Sequence, residues 1–190
     1  MEQERSFPPE SQEYAAQDDK ALYALACHGD EEAVEALLER YRAPLTAFVR
    51  AMLYDPRDIE ETVLDAFAEL CASRGRFRGK SSLKTYLFAI ARHLALRHRK
   101  RQAELPLQDS LPYDARPGLN LDQSLEDLPL RADLQSALSK ISEAPRLALT
   151  LLYYQGMIHQ EAGEVLGKTP AQVARLAQQG RQTLKRLLAE

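Results

Sequence analysis

Residues 74–101 read RGRFRGKSSLKTYLFAIARHLALRHRKR. From Leu83 onward the apolar residues Leu83, Leu87, Ile90 and Leu94 recur every three or four positions, the buried stripe of an amphipathic helix. Gly75 and Gly79 mark a loop before it, and Ser81 or Ser82 is placed to cap the helix. The stretch contains Arg74, Arg76, Arg78, Lys80, Lys84, Arg92, Arg97, Arg99, Lys100 and Arg101, and no Asp or Glu. These are ten of the chain's 25 Lys and Arg; the other 15 face 28 acids, so the remainder carries a formal charge of −13. Charge segregated in this way predicts a polyanion at one surface and a different partner elsewhere. Two rows at seven-residue spacing look away from the stripe: Thr85, Arg92 and Arg99, and Tyr86, His93 and Lys100. A basic helix end complements the macrodipole, which accounts for Arg97 to Arg101 but not for Lys80, Lys84 or Arg92. Phe77, Tyr86 and Phe88 add aromatic faces on which unpaired bases stack, so the stretch points to single-stranded or melted nucleic acid.

Outward from this stretch the period stays near 3.6 and alternating strand patterns are absent, which predicts an all-α protein. At 190 residues the chain is long enough for one domain or two small ones, and no apolar run is long enough to cross a bilayer. The N-terminus, MEQERSFPPESQEYAAQDDK, lacks the layout of a signal peptide, so a cytoplasmic protein is expected. Residues 1–17 are polar, contain Pro8-Pro9, and read as a flexible arm. Asp18 to His28 forms a first helix, ended by Gly29; Asp30 caps the next, with Val34, Leu37, Leu38 and Tyr41 inward. Pro44 is expected to interrupt that pattern and open a third helix carrying Leu45, Phe48, Val49 and Met52. Asp55-Pro56 then starts a helix to about Ser73, with Ile59, Val63, Phe67 and Leu70 buried. On a neighbouring face Asp58, Glu61, Asp65 and Glu69 stack in one acidic row, either a solvated face or a docking surface.

Residues 105–130 change texture. Pro106, Pro112, Pro117 and Pro129 break any long helix, and the acids outnumber Arg116, so this is an acidic linker between domains at 18–104 and 131–190. Beyond it Leu134, Leu138 and Ile141 mark a short helix, and Pro145 starts another through Leu149 and Leu152 to Tyr154, ended by Gly156. His159 to Leu166, the Gly167-Lys168 turn and a Thr169-Pro170 cap on a last helix reaching Leu188 have the layout of a helix-turn-helix. Cys27 and Cys71 sit on apolar patterns without metal spacing and read as reduced core thiols. His28, His93, His98 and His159 are scattered, and neither a phosphate loop nor a carboxylate cluster of ligand spacing occurs, so no catalytic site, metal or cofactor is expected.

Three stretches of the first domain, GDEEAVEALLERYRAPL, DPRDIEETVLDAFAEL and FRGKSSLKTYLFAIARHLAL, resemble region 2 of bacterial RNA polymerase sigma factors of the small extracytoplasmic-function (ECF) type. In the second, LSKISEAPRLALTLLYYQGMIHQEAGEVLGKTPAQVARL is similar to region 4 of the same family. The resemblance implies a factor that binds core polymerase and directs promoter recognition, melting of the −10 strand and initiation. By that likeness Asp58, Glu61, Leu64, Asp65 and Phe67 would dock on the β′ clamp coiled coil, and the second domain would meet the β flap. Arg76, Arg78, Lys80, Ser81, Lys84, Tyr86, Arg92, His93 and Arg99 would hold the −10 strand. Lys168, Thr169, Gln172, Arg175 and Gln179 would contact −35 DNA more weakly. An anti-sigma factor is a further partner that the family implies.

The chain departs from the family at several positions. Tyr86 stands where the family usually has Trp, and Leu64-Asp65 where it commonly has Gln-Glu. In the last helix Ala174, Leu176, Gln178 and Gln179 occupy places where the family carries basic residues. Gln can still read adenine in a major groove, but each missing phosphate contact lowers affinity and its salt dependence. Two alternatives stay open on sequence. One is a sigma-like protein that binds polymerase or another partner without full promoter recognition; the other is a stand-alone helix-turn-helix regulator.

Overall fold

Asp18 accepts from the backbone N–H groups of Lys20 and Ala21 and so starts α1, Asp19–Cys27. The structure, a computed structural model, describes Tyr14, residues 16–73, 77–104 and 136–189. The arm up to Glu13, Arg76, the 105–130 linker and Leu134 lie outside the described residues. Every described element is helical, as the 3.6 period predicts. Asp30 caps α2, Glu31–Arg50, and Asp55 with Pro56 caps α3, Pro56–Ala72. The long basic helix α4 covers Leu83–Glu104, with the Ser82 hydroxyl accepting from the Thr85 N–H at its start. Beyond residue 136 come α5, Glu143–Leu149, running into a π-helical turn at Thr150–Tyr154, then α6, His159–Leu166, and α7, Pro170–Leu187.

Pro44 does not open a new helix. It lies inside α2, which continues unbroken to Arg50. An interior proline removes one helical hydrogen bond and costs about 3 kcal/mol. Here burial offsets that cost, because Leu45, Phe48 and Val49, immediately after it, are all fully buried. The carbonyl of Pro44 also gains an acceptor role, taking a hydrogen bond of 3.1 Å from the side-chain amide of Gln155.

One connected core runs through both halves of the sequence. Leu22, Leu37, Leu45, Phe48, Leu70, Leu87 and Phe88 belong to it, and so do Ile141, Leu151, Val165 and Val173. The α3 positions Ile59, Val63, Phe67 and Leu70 point inward as their spacing predicts. Helix α4 packs against α3 on one side and α6 on the other. That second neighbour changes which of its residues are free.

The helix-turn-helix geometry rests on two glycines. Gly167 ends α6 in the left-handed region at φ 63°, where a side chain would be strained. A Cβ built on Gly163 would lie 2.6 Å from the carbonyl oxygen of Lys168, so the turn can fold back onto α6 only over a bare backbone. Thr169 then caps α7 reciprocally, its hydroxyl accepting from the Gln172 N–H at 3.2 Å and its own N–H donating to the Gln172 side chain at 2.9 Å.

Candidate nucleic-acid and polymerase interface

The acidic row of α3 and the basic face of α4 grow from one packed pair of helices. On α3 the inward residues fix the register, leaving Glu61, Leu64, Asp65 and Glu69 exposed on the opposite side, with Leu64 49% exposed. Asp58 is not free in the same way. Its carboxylate takes the His98 ring nitrogen at 3.1 Å and the Gln102 amide at 2.5 Å, stitching the start of α3 to the end of α4. Phe67, grouped with the docking residues by resemblance, is a core residue at 4% exposure. It braces α3 from within and offers no outer surface. The row is therefore Glu61, Leu64 and Asp65 at its centre, with Asp58 engaged at one end.

The loop and helix beyond present a graded face. Arg78 and Lys80 in the loop and His93 on α4 are exposed, whereas Ser81, Lys84, Tyr86 and Arg92 are partly covered. Phe77 and Tyr86 form an aromatic ladder with Tyr23: Tyr23 meets Phe77 edge-on with centroids 5.4 Å apart, and Phe77 lies 5.3 Å from Tyr86. This anchors the loop's far end to α1 and holds the Tyr86 ring at the rim of the loop.

Two expectations for this face do not survive. Phe88 cannot stack on a base, since it is fully buried against Phe48 at 5.2 Å. Thr85, the first member of an outward row, is 1% exposed and pairs its hydroxyl with Ser82 at 2.8 Å. The reason is the wide buried arc of α4, which takes in Leu83, Thr85, Leu87, Phe88, Ile90, Ala91 and Ala95, while Leu94, given to the buried stripe by spacing, is only partly buried. A helix packed on two sides buries more of its circumference than a single stripe.

Two of the basic groups of α4, Lys84 and Arg99, already have partners in the other half of the chain. Lys84 Nζ donates to the backbone carbonyl of Gln155 at 2.6 Å, and burial pushes its pKa below the ordinary lysine value, partly opposed by the carboxylates of Glu161 and Asp19. Arg99 donates to both carboxylate oxygens of Glu143, at 2.8 and 2.6 Å. Arg92 has its Nε buried without an acceptor in the protein. Periodicity could not have exposed these partners, because Gln155 and Glu143 lie in the other half of the chain.

On the helix-turn-helix, Lys168, Thr169, Gln172, Arg175 and Gln179 are all exposed on one end and face of α6–α7. Arg181, on the same helix, donates to the exposed Tyr153 hydroxyl at 3.0 Å. Among the described residues Asp58, Glu61 and His98 alone come close enough to suggest metal ligands, but Asp58 and His98 satisfy one another directly. No helix among the described residues is long and apolar enough to cross a membrane.

Residues 37–104 match sigma-70 region 2, and residues 131–184 match sigma-70 region 4. The chain is 21% identical over 160 residues to the RNA polymerase sigma-H factor of Pseudomonas aeruginosa, covering 79% of this chain and 83% of that one. It is 27% identical over 157 residues to the ECF RNA polymerase sigma factor SigC of Mycobacterium tuberculosis, covering 80% and 83%. Its fold is similar to that of the sigma factor RpoE of Bartonella quintana, solved as a co-crystal with the anti-sigma factor NepR. That match has a TM-score of 0.66 at 22% identity, over 82% of this chain and 96% of that one.

Proposed function

We propose, from the premise that this chain belongs to the sigma-70 family of RNA polymerase sigma factors, of the ECF type, and directs promoter recognition, a division of its surface between two macromolecules. The α3 row of Glu61, Leu64 and Asp65 docks on a basic surface of core polymerase, by family likeness the β′ clamp coiled coil. The loop and α4, through Arg76, Arg78, Lys80, Ser81, Lys84, Tyr86, Arg92, His93 and Arg99, take the melted −10 strand. Positive groups meet its phosphates and the Tyr86 rim receives an unstacked base. Lys168, Thr169, Gln172, Arg175 and Gln179 touch −35 duplex, and their half of the chain also meets the β flap.

The observation that carries this reading is the back-to-back placement of an exposed acidic row with an exposed leucine on α3 and an acid-free basic face on α4, two helices sharing one core. Opposite charges on adjoining helices suit a protein that must hold polymerase and DNA at once. The organisation into units at 18–104 and 131–190 with a 105–130 tether belongs to the same reading. So does a chain without chemistry of its own, working in the cytoplasm where polymerase is. An anti-sigma protein is a further partner, supported by the co-crystal of the similar Bartonella factor.

The test is transcription by core polymerase on a library of promoter fragments, with and without the protein. A start site that appears only with the protein is expected; none from any fragment would sink the reading. Asp65→Arg should weaken core binding roughly tenfold, by placing a like charge in the interface at a cost of about 1.4 kcal/mol, and leave single-strand affinity unchanged.

A further inference from the structure

We propose a Zn(II) site held by Asp58 and Glu61 of α3 and His98 of α4, which when filled cancels the charge at one end of the acidic row. The site itself needs only the packed pair of helices. Its effect on polymerase rests on the row being the docking face, as proposed above.

Asp58 and Glu61 stand three positions apart on α3 and so share one helix face. Helix α4, packed against α3, brings His98 and, one turn on, Gln102 to the same place. The three candidate ligand atoms, one carboxylate oxygen from each acid and one ring nitrogen, all lie within 4.8 Å of one another. Helix bundles build metal sites in this way, from side chains on facing helices. Sequence spacing could not reveal it, since Asp58 and Gln102 are 44 positions apart.

The distances suit a shared ion. Bonds of about 2.0–2.1 Å to a tetrahedral Zn(II) put neighbouring ligand atoms about 3.3 Å apart. His98 Nε2 and Asp58 Oδ1 are already 3.1 Å apart, so the contact that pairs them is also one edge of that tetrahedron. The Gln102 amide donates to the other oxygen of Asp58 at 2.5 Å, the kind of outer hydrogen bond that orients a ligating carboxylate. Glu61 supplies an independent observation. It is exposed and, among the described residues, no hydrogen bond or ion pair neutralises it, although its carboxylate lies beside that of Asp58. His98 serves one of the two acids through a proton; a dication serves both. On binding, Nε2 releases its proton to solvent, the neutral ring keeps its Nδ1–H, and water takes the fourth position. One imidazole with two carboxylates suits Zn(II), Co(II) or Ni(II), whereas Mg(II) and Ca(II) prefer oxygen alone.

The consequence follows from charge. A bound dication offsets Asp58 and Glu61 and leaves Leu64, Asp65 and Glu69 to form the row. It also sets positive charge where a basic surface of core polymerase would approach, so occupancy weakens docking.

The test begins with the free full chain. Calorimetric titration with zinc chloride should show one equivalent bound by wild type. His98→Gln keeps a donor to Asp58 but lacks the ring nitrogen, and should bind at least about tenfold more weakly, as should Gln102→Leu. His159→Gln, on α6, should bind as wild type does. Circular dichroism melting verifies that each variant is folded. No bound equivalent in wild type, or equal affinity in folded His98→Gln, would overturn the site. In buffer that holds Zn(II) at saturation, wild type should bind core polymerase about tenfold more weakly than without the metal. His98→Gln, which controls for Zn(II) acting on polymerase itself, should not change. Equal binding by wild type with and without Zn(II) would overturn the effect on docking. If metal-free wild type binds no core polymerase at all, the Zn(II) site stands and the docking reading above falls.

Discussion

Two basic segments of this protein compete for the description of DNA-binding element, and they differ most in access. Helix α4 with its loop is rich in positive charge but half covered, with Lys84 and Arg99 engaged by the other half of the chain. Helix α7 and the turn before it are open, with Lys168, Thr169, Gln172, Arg175 and Gln179 all exposed, and carry fewer basic residues than the ten of residues 74–101. Affinity for a polyanion needs both positive charge and access to it. The difference teaches that charge and access are set separately, charge by the local sequence and access by what the other half of the chain packs against.

The largest expected effect removes the open element altogether. Gly163→Val would force a side chain to where the Lys168 carbonyl lies 2.6 Å from a built Cβ, so the turn must shift. The cost is about 2 kcal/mol by the usual price of overpacking. Thermal melting should show a lower midpoint, and duplex contacts by α7 should vanish. If core-dependent start sites then persist on promoters with an extended −10 segment, α4 carries the greater share of recognition; if all are lost, the comparison tilts to α7.

A smaller effect separates the two faces directly. Arg92→Ala should reduce promoter opening about tenfold, equivalent to about 1.4 kcal/mol of lost charge-assisted contact, while core binding is unchanged. Arg175→Ala should instead weaken duplex binding evenly across sequences and reduce the slope of log affinity against log salt by about one. Permanganate footprinting and salt titrations measure the two, and an exchange of phenotypes would reverse the assignment of faces.

The smallest effect concerns the platform on which α4 sits. Asp18 caps α1 through two backbone N–H bonds, which hold its carboxyl below the usual carboxylate range. A depressed folded-state pKa contributes stability that is present above the unfolded value and is lost as pH falls through the folded one. The melting midpoint of wild type should therefore drop further between pH 5 and pH 3 than that of Asp18→Asn, whose cap does not titrate. Equal drops would mean that the cap's charge adds nothing.

How much of this was legible in the sequence depends on how local each feature is. The caps at Asp30, Asp55 and Thr169 form where the residues call for them, because a side-chain oxygen and the N–H groups it serves are within three positions of each other. The inward faces of α3 and most of α2 were legible for the same reason. Pro44 is the exception: local propensity disfavours interior proline, yet Leu45, Phe48 and Val49 bury enough apolar surface to keep the helix whole. The π turn at Thr150–Tyr154 has no local signature that separates it from an α turn. Phe67 is buried as its spacing predicts, and only the family resemblance gives it a docking role; Phe88 reads as a stacking face because it lies among basic residues, while its own helical phase places it in the core.

By itself, then, the sequence determined the helical class, the helix ends and the segregation of ten basic residues into one stretch, since propensity, capping and charge are properties of near neighbours. Only the tertiary structure decided which of those basic residues are free. The partners of Lys84 and Arg99 are Gln155 and Glu143, 71 and 44 positions away, and no local pattern can encode a contact made by packing one half of the chain onto the other.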